Sequence, residues 1–79
     1  MIAKIVKISK KPSRYGGHFF YAFLKTKDGK SYYTCLYPKM RNFKKWKPFM
    51  KKGVTLKGLE VLKNRLINAD SKIEEVKNV

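Results

Sequence analysis

The chain has 79 residues, 20 Lys+Arg against 5 Asp+Glu, a formal charge of +15 and one cysteine. That length suits one domain, 1–79, which buries only ~60% of its unfolded surface, so a large cleft enzyme and a two-domain switch are excluded. With 43% hydrophobic and 14% aromatic residues it is no disordered basic tail, and one cysteine supplies neither an internal disulfide nor a Cys-based zinc site. The longest apolar run, Phe19 to Leu24, falls far below the ~20 residues of a bilayer span. Lys4 and Lys7 interrupt the opening stretch, which therefore lacks the apolar run of a signal peptide. The expectation is a cytoplasmic protein, or one of host cytoplasm or nucleoid if a virus or mobile element encodes it.

In chain order, Ile2 to Ile8 is short and β-branched without a clean period, which predicts a bulged or coiled strand. Ser9 to Gly17, with Pro12 and paired glycines, reads as a basic loop. His18 to Thr26 and Ser31 to Tyr37 are aromatic-rich strands joined by Lys27-Asp28-Gly29-Lys30, a strong hairpin signal. After Pro38, apolar residues at Met40, Phe43, Trp46 and Phe49/Met50 have helical spacing. Asn42 is placed to cap this helix and Gly53 to close it, and Pro48 predicts a short or kinked one that starts afresh. Val54 to Leu62 reads as a strand bent at Gly58, Lys63-Asn64-Arg65 as a turn, and Leu66 to Ala69 as the returning strand. Ser71-Lys72-Ile73-Glu74 matches a capping box, but so few residues follow that an extended segment is favoured.

The charge is segregated. In residues 1–57, 14 Lys, Arg14 and Arg41 stand against Asp28 alone, whereas four cations balance four acids in residues 58–79. Such a self-repelling surface points to a polyanionic partner, nucleic acid first and anionic lipid a distant second. Lysine dominates arginine, 17 to 3. Lysine is a hydrated point charge suited to phosphate, and phosphate contacts carry little sequence information.

Strand, basic loop, hairpin, short helix and hairpin follow one another as in a five-stranded OB barrel with one short helix between strands three and four. The Trp46-Lys47-Pro48 helix, the Gly53-Val54-Thr55-Leu56 start of strand four and the Ile67-Asn68-Ala69-Asp70-Ser71 close carry the likeness. On these residues the chain resembles the OB-fold single-stranded nucleic-acid-binding proteins. The resemblance implies a ligand face across strands two and three, flanked by the loops between strands one and two and between four and five. It makes Lys10, Lys11, Arg14 and Tyr15 in the first loop, and Arg65 in the second, candidate contacts.

An even-numbered turn centred on Asp28-Gly29 would set Lys25 opposite Tyr32, Phe23 opposite Thr34 and Tyr21 opposite Leu36. Compact Ala22, Leu24 and Cys35 then go inward. Phe19, Tyr21, Phe23 and Tyr32, edged by Lys25, look outward as a row on which bases could stack; the alternative is that they pack in the core or in a dimer seam. Arg41, Lys44, Lys45, Lys47, Lys51 and Lys52 around the helix extend a phosphate track or form its solvated face. Trp46 is read as core, and Pro48 argues against a membrane-surface amphipath.

Catalysis, metals and cofactors are not expected: His18 and Cys35 are single, with no acid placed by the sequence to orient the imidazole. The expected function is single-stranded DNA binding with little sequence preference, in replication, recombination or repair. The rivals are a ribosome- or translation-associated RNA binder, a duplex-DNA architectural barrel, and a basic inhibitor of a nucleic-acid-handling protein. A homodimer through a free strand edge also remains open.

Overall fold

In the computed structural model, which describes residues 1–14 and 16–77, the chain is mainly β with one short helix. One curled, barrel-like sheet holds seven strands rather than the five expected: β1 (Ala3–Pro12), β2 (His18–Lys25), β3 (Ser31–Leu36), β4 (Thr55–Lys57), β5 (Val61–Lys63), β6 (Leu66–Ile67) and β7 (Glu74–Glu75), in the order β5-β6-β3-β2-β1-β4-β7. β3 and β6 are parallel, and the other pairs are antiparallel.

β1 carries the expected bulge, an extra residue at Val6 between the pairs Ile5↔Leu24 and Lys7↔Phe23. It also runs on to Pro12, well past Ile8, because the long aromatic strand β2 offers a ladder as far as His18. The basic loop therefore shrinks to residues 13–17, and Lys10 and Lys11 belong to a strand.

The β2–β3 turn departs from expectation by one residue. The Gly29 amide donates to the Thr26 carbonyl (3.0 Å), the Thr26 amide donates to the Lys30 carbonyl (2.9 Å), and Gly29 adopts φ 88°. This is a type I turn followed by a left-handed glycine, the three-residue loop. The Thr26 hydroxyl supports it by accepting from the Lys30 amide (3.1 Å) and donating to the Asp28 carboxylate. The odd residue slides the ladder, so that Lys25 pairs with Ser31, Phe23 with Tyr33 and Tyr21 with Cys35. On β3 the faces are inverted relative to the expectation. Tyr32, Thr34 and Leu36 go inward, while Tyr33 and Cys35 go outward.

Chain length alone forces the sheet to curl. β4 and β5 lie five inter-strand spacings apart along the sheet, about 24 Å if it were flat. Only residues 58–60 separate them, a reach of about 14 Å. Gly58 makes the bend at φ 80°, and a Cβ there would stand 2.3 Å from the Lys72 carbonyl oxygen. Neighbouring segments tie this crossing down. The Leu59 amide donates to the Met1 carbonyl (3.3 Å), the Glu60 amide to the Ser71 hydroxyl (3.0 Å) and the Asn68 amide to the Glu60 carbonyl (2.7 Å).

Inside lie Ala3, Ile5, Ala22, Leu24, Leu36, Trp46, Leu56, Leu59, Ile67 and Ile73. α1 (Phe43–Trp46) runs into a 3-10 turn, Lys47–Phe49, with Pro48 in its first positions, as the sequence predicts. Trp46 is fully buried, and its indole N–H donates to the Ala69 carbonyl (2.8 Å), so it is core. Asn42 stands at the cap position but does not cap. Its amide donates to the Ala69 carbonyl (3.1 Å) and the Asp70 carboxylate (2.8 Å), joining the helix to the turn before β7. The C-terminal segment is extended. The Ser71 hydroxyl donates to the Asn68 carbonyl (2.6 Å), and β7 pairs with β4.

Candidate nucleic-acid interface

Strand alternation places Lys7, Ser9 and Lys11 of β1, Phe19, Tyr21, Phe23 and Lys25 of β2, and Tyr33 and Cys35 of β3 on one outer face, with Tyr37 just beyond β3. Phe19 and Tyr37 stack, with ring centroids 4.8 Å apart and planes 23° apart. Tyr21 and Tyr33 stack at 5.7 Å and 9°, and Phe23 lies 5.1 Å from Tyr21. Phe19 and Tyr21, 6.5 Å apart, join the two stacks into one five-ring surface. Phe23 and Tyr37 are each 37% exposed, so apolar ring area faces outward instead of sealing the core.

The charge on this face has one sign. Lys7 Nζ lies 5.9 Å from the Phe23 ring centroid and Lys11 Nζ 5.8 Å from that of Tyr21. Both sit at cation–π distance. β1, β2 and β3 contain no Asp or Glu. Desolvation and the adjacent Cys35 push the Tyr21 hydroxyl above its ordinary value, and burial pushes the Cys35 thiol up. At neutral pH both are protonated, so neither puts negative charge on the surface. A protonated thiol is also a poor nucleophile.

The sequence-predicted residues divide between this face and other surfaces. Lys11, Phe19, Tyr21, Phe23 and Lys25 share the face. Arg14 lies at its end, where Pro12, Ser13, Arg14, Phe19 and Tyr37 line a cleft of about 370 Å³. Arg65 is exposed in the β5–β6 turn at φ 67°, and its carbonyl accepts the Tyr33 amide (3.0 Å), so this turn borders the row on the β3 side. Lys10 pairs with Phe20 and points to the opposite face. Tyr32 is turned inward and packs against the core cluster. Tyr15 lies outside the described residues. Arg41, Lys44, Lys45, Lys47, Lys51 and Lys52 are exposed around α1, whose Phe43 stacks on inward-facing Phe20 at 6.0 Å. They surround the helix that carries Trp46 into the core, whereas the described cations over the aromatic row are Lys7 and Lys11.

Sequence reasoning missed Lys7, Tyr33 and Tyr37. Tyr33 and Tyr37 follow from the turn type. Asp and Gly at the third and fourth positions of a type I turn beginning at Thr26 would have given the correct ladder. Lys7 follows from the bulge at Val6.

No helix among the described residues is long and apolar enough to cross a membrane. No family model matches the chain, and no curated protein and no solved structure matches it.

Proposed function

We propose that the chain is an OB-type barrel that binds single-stranded nucleic acid, DNA foremost, with little sequence preference and without catalysis. The five-ring outer surface among lysines carries this reading. Bases stack on exposed rings irrespective of sequence while lysines follow the phosphates. Three features support the OB-type description. β4 and β5 can be counted as one strand bent at Gly58, the helix falls between β3 and β4, and the ring surface lies on β2 and β3, bordered by the β1–β2 loop and the β5–β6 turn. The strand would run along the Phe23–Tyr21–Tyr33 and Phe19–Tyr37 rings toward the Arg14 cleft.

The test is a salt titration of binding to oligo-dT, oligo-U and a duplex of equal length, read by intrinsic fluorescence. Trp46 is buried, so stacking should quench tyrosine emission and leave the indole unchanged. If about five phosphates are neutralised, log affinity falls with log salt at a slope of roughly −3 to −4. Preference for the single strands, with quenching that persists at high salt, is the expected outcome. Equal, quench-free binding to all three that vanishes with salt would overturn the stacking surface and leave only a generic polyanion grip.

A further inference from the structure

The end of the barrel nearest the β2–β3 turn carries a second unusual surface. Ile2 is 56% exposed and Val6, the extra residue of the bulge in β1, is 39% exposed on the outer side next to inward Ile5. Together with Thr55 they line an open groove of about 540 Å³. The charged residues lining it are Lys4, Lys25 and Lys27, and no carboxylate lines it among the described residues. The floor is aliphatic, with no ring on which a base could stack, so it differs in kind from the aromatic face. A chain of charge +15 would not be drawn onto this groove by a second copy of itself, because the three charged residues lining it are all lysines.

We propose that this groove docks an acidic peptide segment of a partner protein, with one or two apolar side chains seated on Ile2 and Val6 and flanking carboxylates facing Lys4, Lys25 and Lys27. Apolar burial would hold the segment, and the lysines would steer it and fix its register. A nucleic acid offers the lysines phosphate but offers the aliphatic floor nothing in return. The groove borders the aromatic face at Lys25, which belongs to both, but Ile2, Val6, Lys4 and Lys27 are its own, so the test rests on those residues.

The probe is a short fluorescein-labelled synthetic peptide in which a Leu-Phe pair is flanked on both sides by Asp and Glu. Its binding is measured by anisotropy, beside oligo-dT binding to the same protein. Saturable binding is expected, weakened by salt and by replacing Leu-Phe with Ser-Ser. The double variant Ile2→Ser/Val6→Ser should lose about tenfold in peptide affinity, the scale of one aliphatic side chain left without apolar cover. Its oligo-dT affinity should be unchanged. Because both side chains are substantially exposed the variant should fold, and circular dichroism checks this. Lys27→Glu provides an independent loss of peptide binding if it does not.

Absence of saturable binding would overturn the proposal. So would binding indifferent to both the Ser-Ser peptide and the groove variant, which would mean charge attraction alone. A fall in oligo-dT affinity in Ile2→Ser/Val6→Ser would instead assign the groove to nucleic acid. Self-association of the wild type that the variant abolishes, seen by sedimentation, would assign it to a second copy.

Discussion

Tyr21 sits at the junction of the two ring stacks, in contact with Phe19, Phe23 and Tyr33. Removing it breaks the surface at its middle while the core beneath stays filled by Ala22 and Leu24. Tyr21→Ala and Phe23→Ala should each weaken oligo-dT binding by ~1–3 kcal/mol, with little change in the urea unfolding midpoint. Tyr32→Ala should do the reverse. Its ring packs on the core, so its loss should cost about 2–4 kcal/mol of stability and leave strand affinity nearly intact in the folded fraction. The residue pair Tyr32 and Tyr33 also marks where the sequence ran short. Both faces of the β2–β3 hairpin are apolar and aromatic, so hydrophobic alternation could not say which tyrosine belongs inside. Cys35 offers a chemical reporter on the same face, since burial holds its thiol protonated at neutral pH. Alkylation by iodoacetamide should be slower than for a free thiol, accelerate as pH rises, and slow further when oligo-dT is bound. A free-thiol rate indifferent to oligo-dT would place Cys35 away from the ligand.

At the scale of elements, the first three strands and the helix were legible from local signals, namely the Asp28-Gly29 turn, the Phe43–Trp46 spacing and Pro48 restarting the helix, whereas the split of Val54–Leu62 into β4 and β5 and the pairing of β7 were not. What stayed hidden were quantities fixed between elements, namely the length of β1, set by its partner, and the register of β3, set by one turn residue. Two glycines separate local turn chemistry from closure of the sheet. Gly29 has φ 88° and a Cβ added there would meet nothing within 4 Å, whereas at Gly58 a Cβ would strike the Lys72 carbonyl oxygen at 2.3 Å. Gly29→Ala should therefore cost only the left-handed backbone penalty, about 1–2 kcal/mol. Gly58→Ala adds a clash with backbone that cannot move without shifting β7, and should lower stability by at least about 3 kcal/mol, read by urea unfolding. Asp28 adds a pH dependence to the same turn. The Thr26 hydroxyl bonded to its carboxylate holds it below the ordinary value, so its support is present above the carboxylate range and is lost as pH falls through the lowered value. Asp28→Asn should show a smaller fall in stability from neutral to acid pH than the wild type.

For the whole molecule, charge and shape have separate consequences that salt can pull apart. All +15 of the formal charge falls in residues 1–57, which form the β1–β3 sheet, α1 and β4. Only two ion pairs occur among the described residues, Lys30–Asp28 at 3.9 Å and Lys57–Glu74 at 3.4 Å, both on exposed side chains that contribute little. The free protein therefore folds against its own repulsion, and added salt should raise its melting temperature by screening. On the proposed function, a bound strand would relieve the same repulsion by neutralising lysines and would stabilise by mass action, about 2.7 kcal/mol when free ligand stands at a hundred times Kd. Because that affinity itself falls with salt, the melting-temperature increment from a fixed concentration of oligo-dT should shrink as the melting temperature of the free protein climbs. Thermal melts with and without oligo-dT across a salt series would show the two curves converging. Parallel curves would mean that binding owes little to phosphate contact and that the lysines serve another purpose. Convergence to a residual gap would measure what the rings contribute once the phosphates are screened, and Tyr21→Ala should narrow that gap.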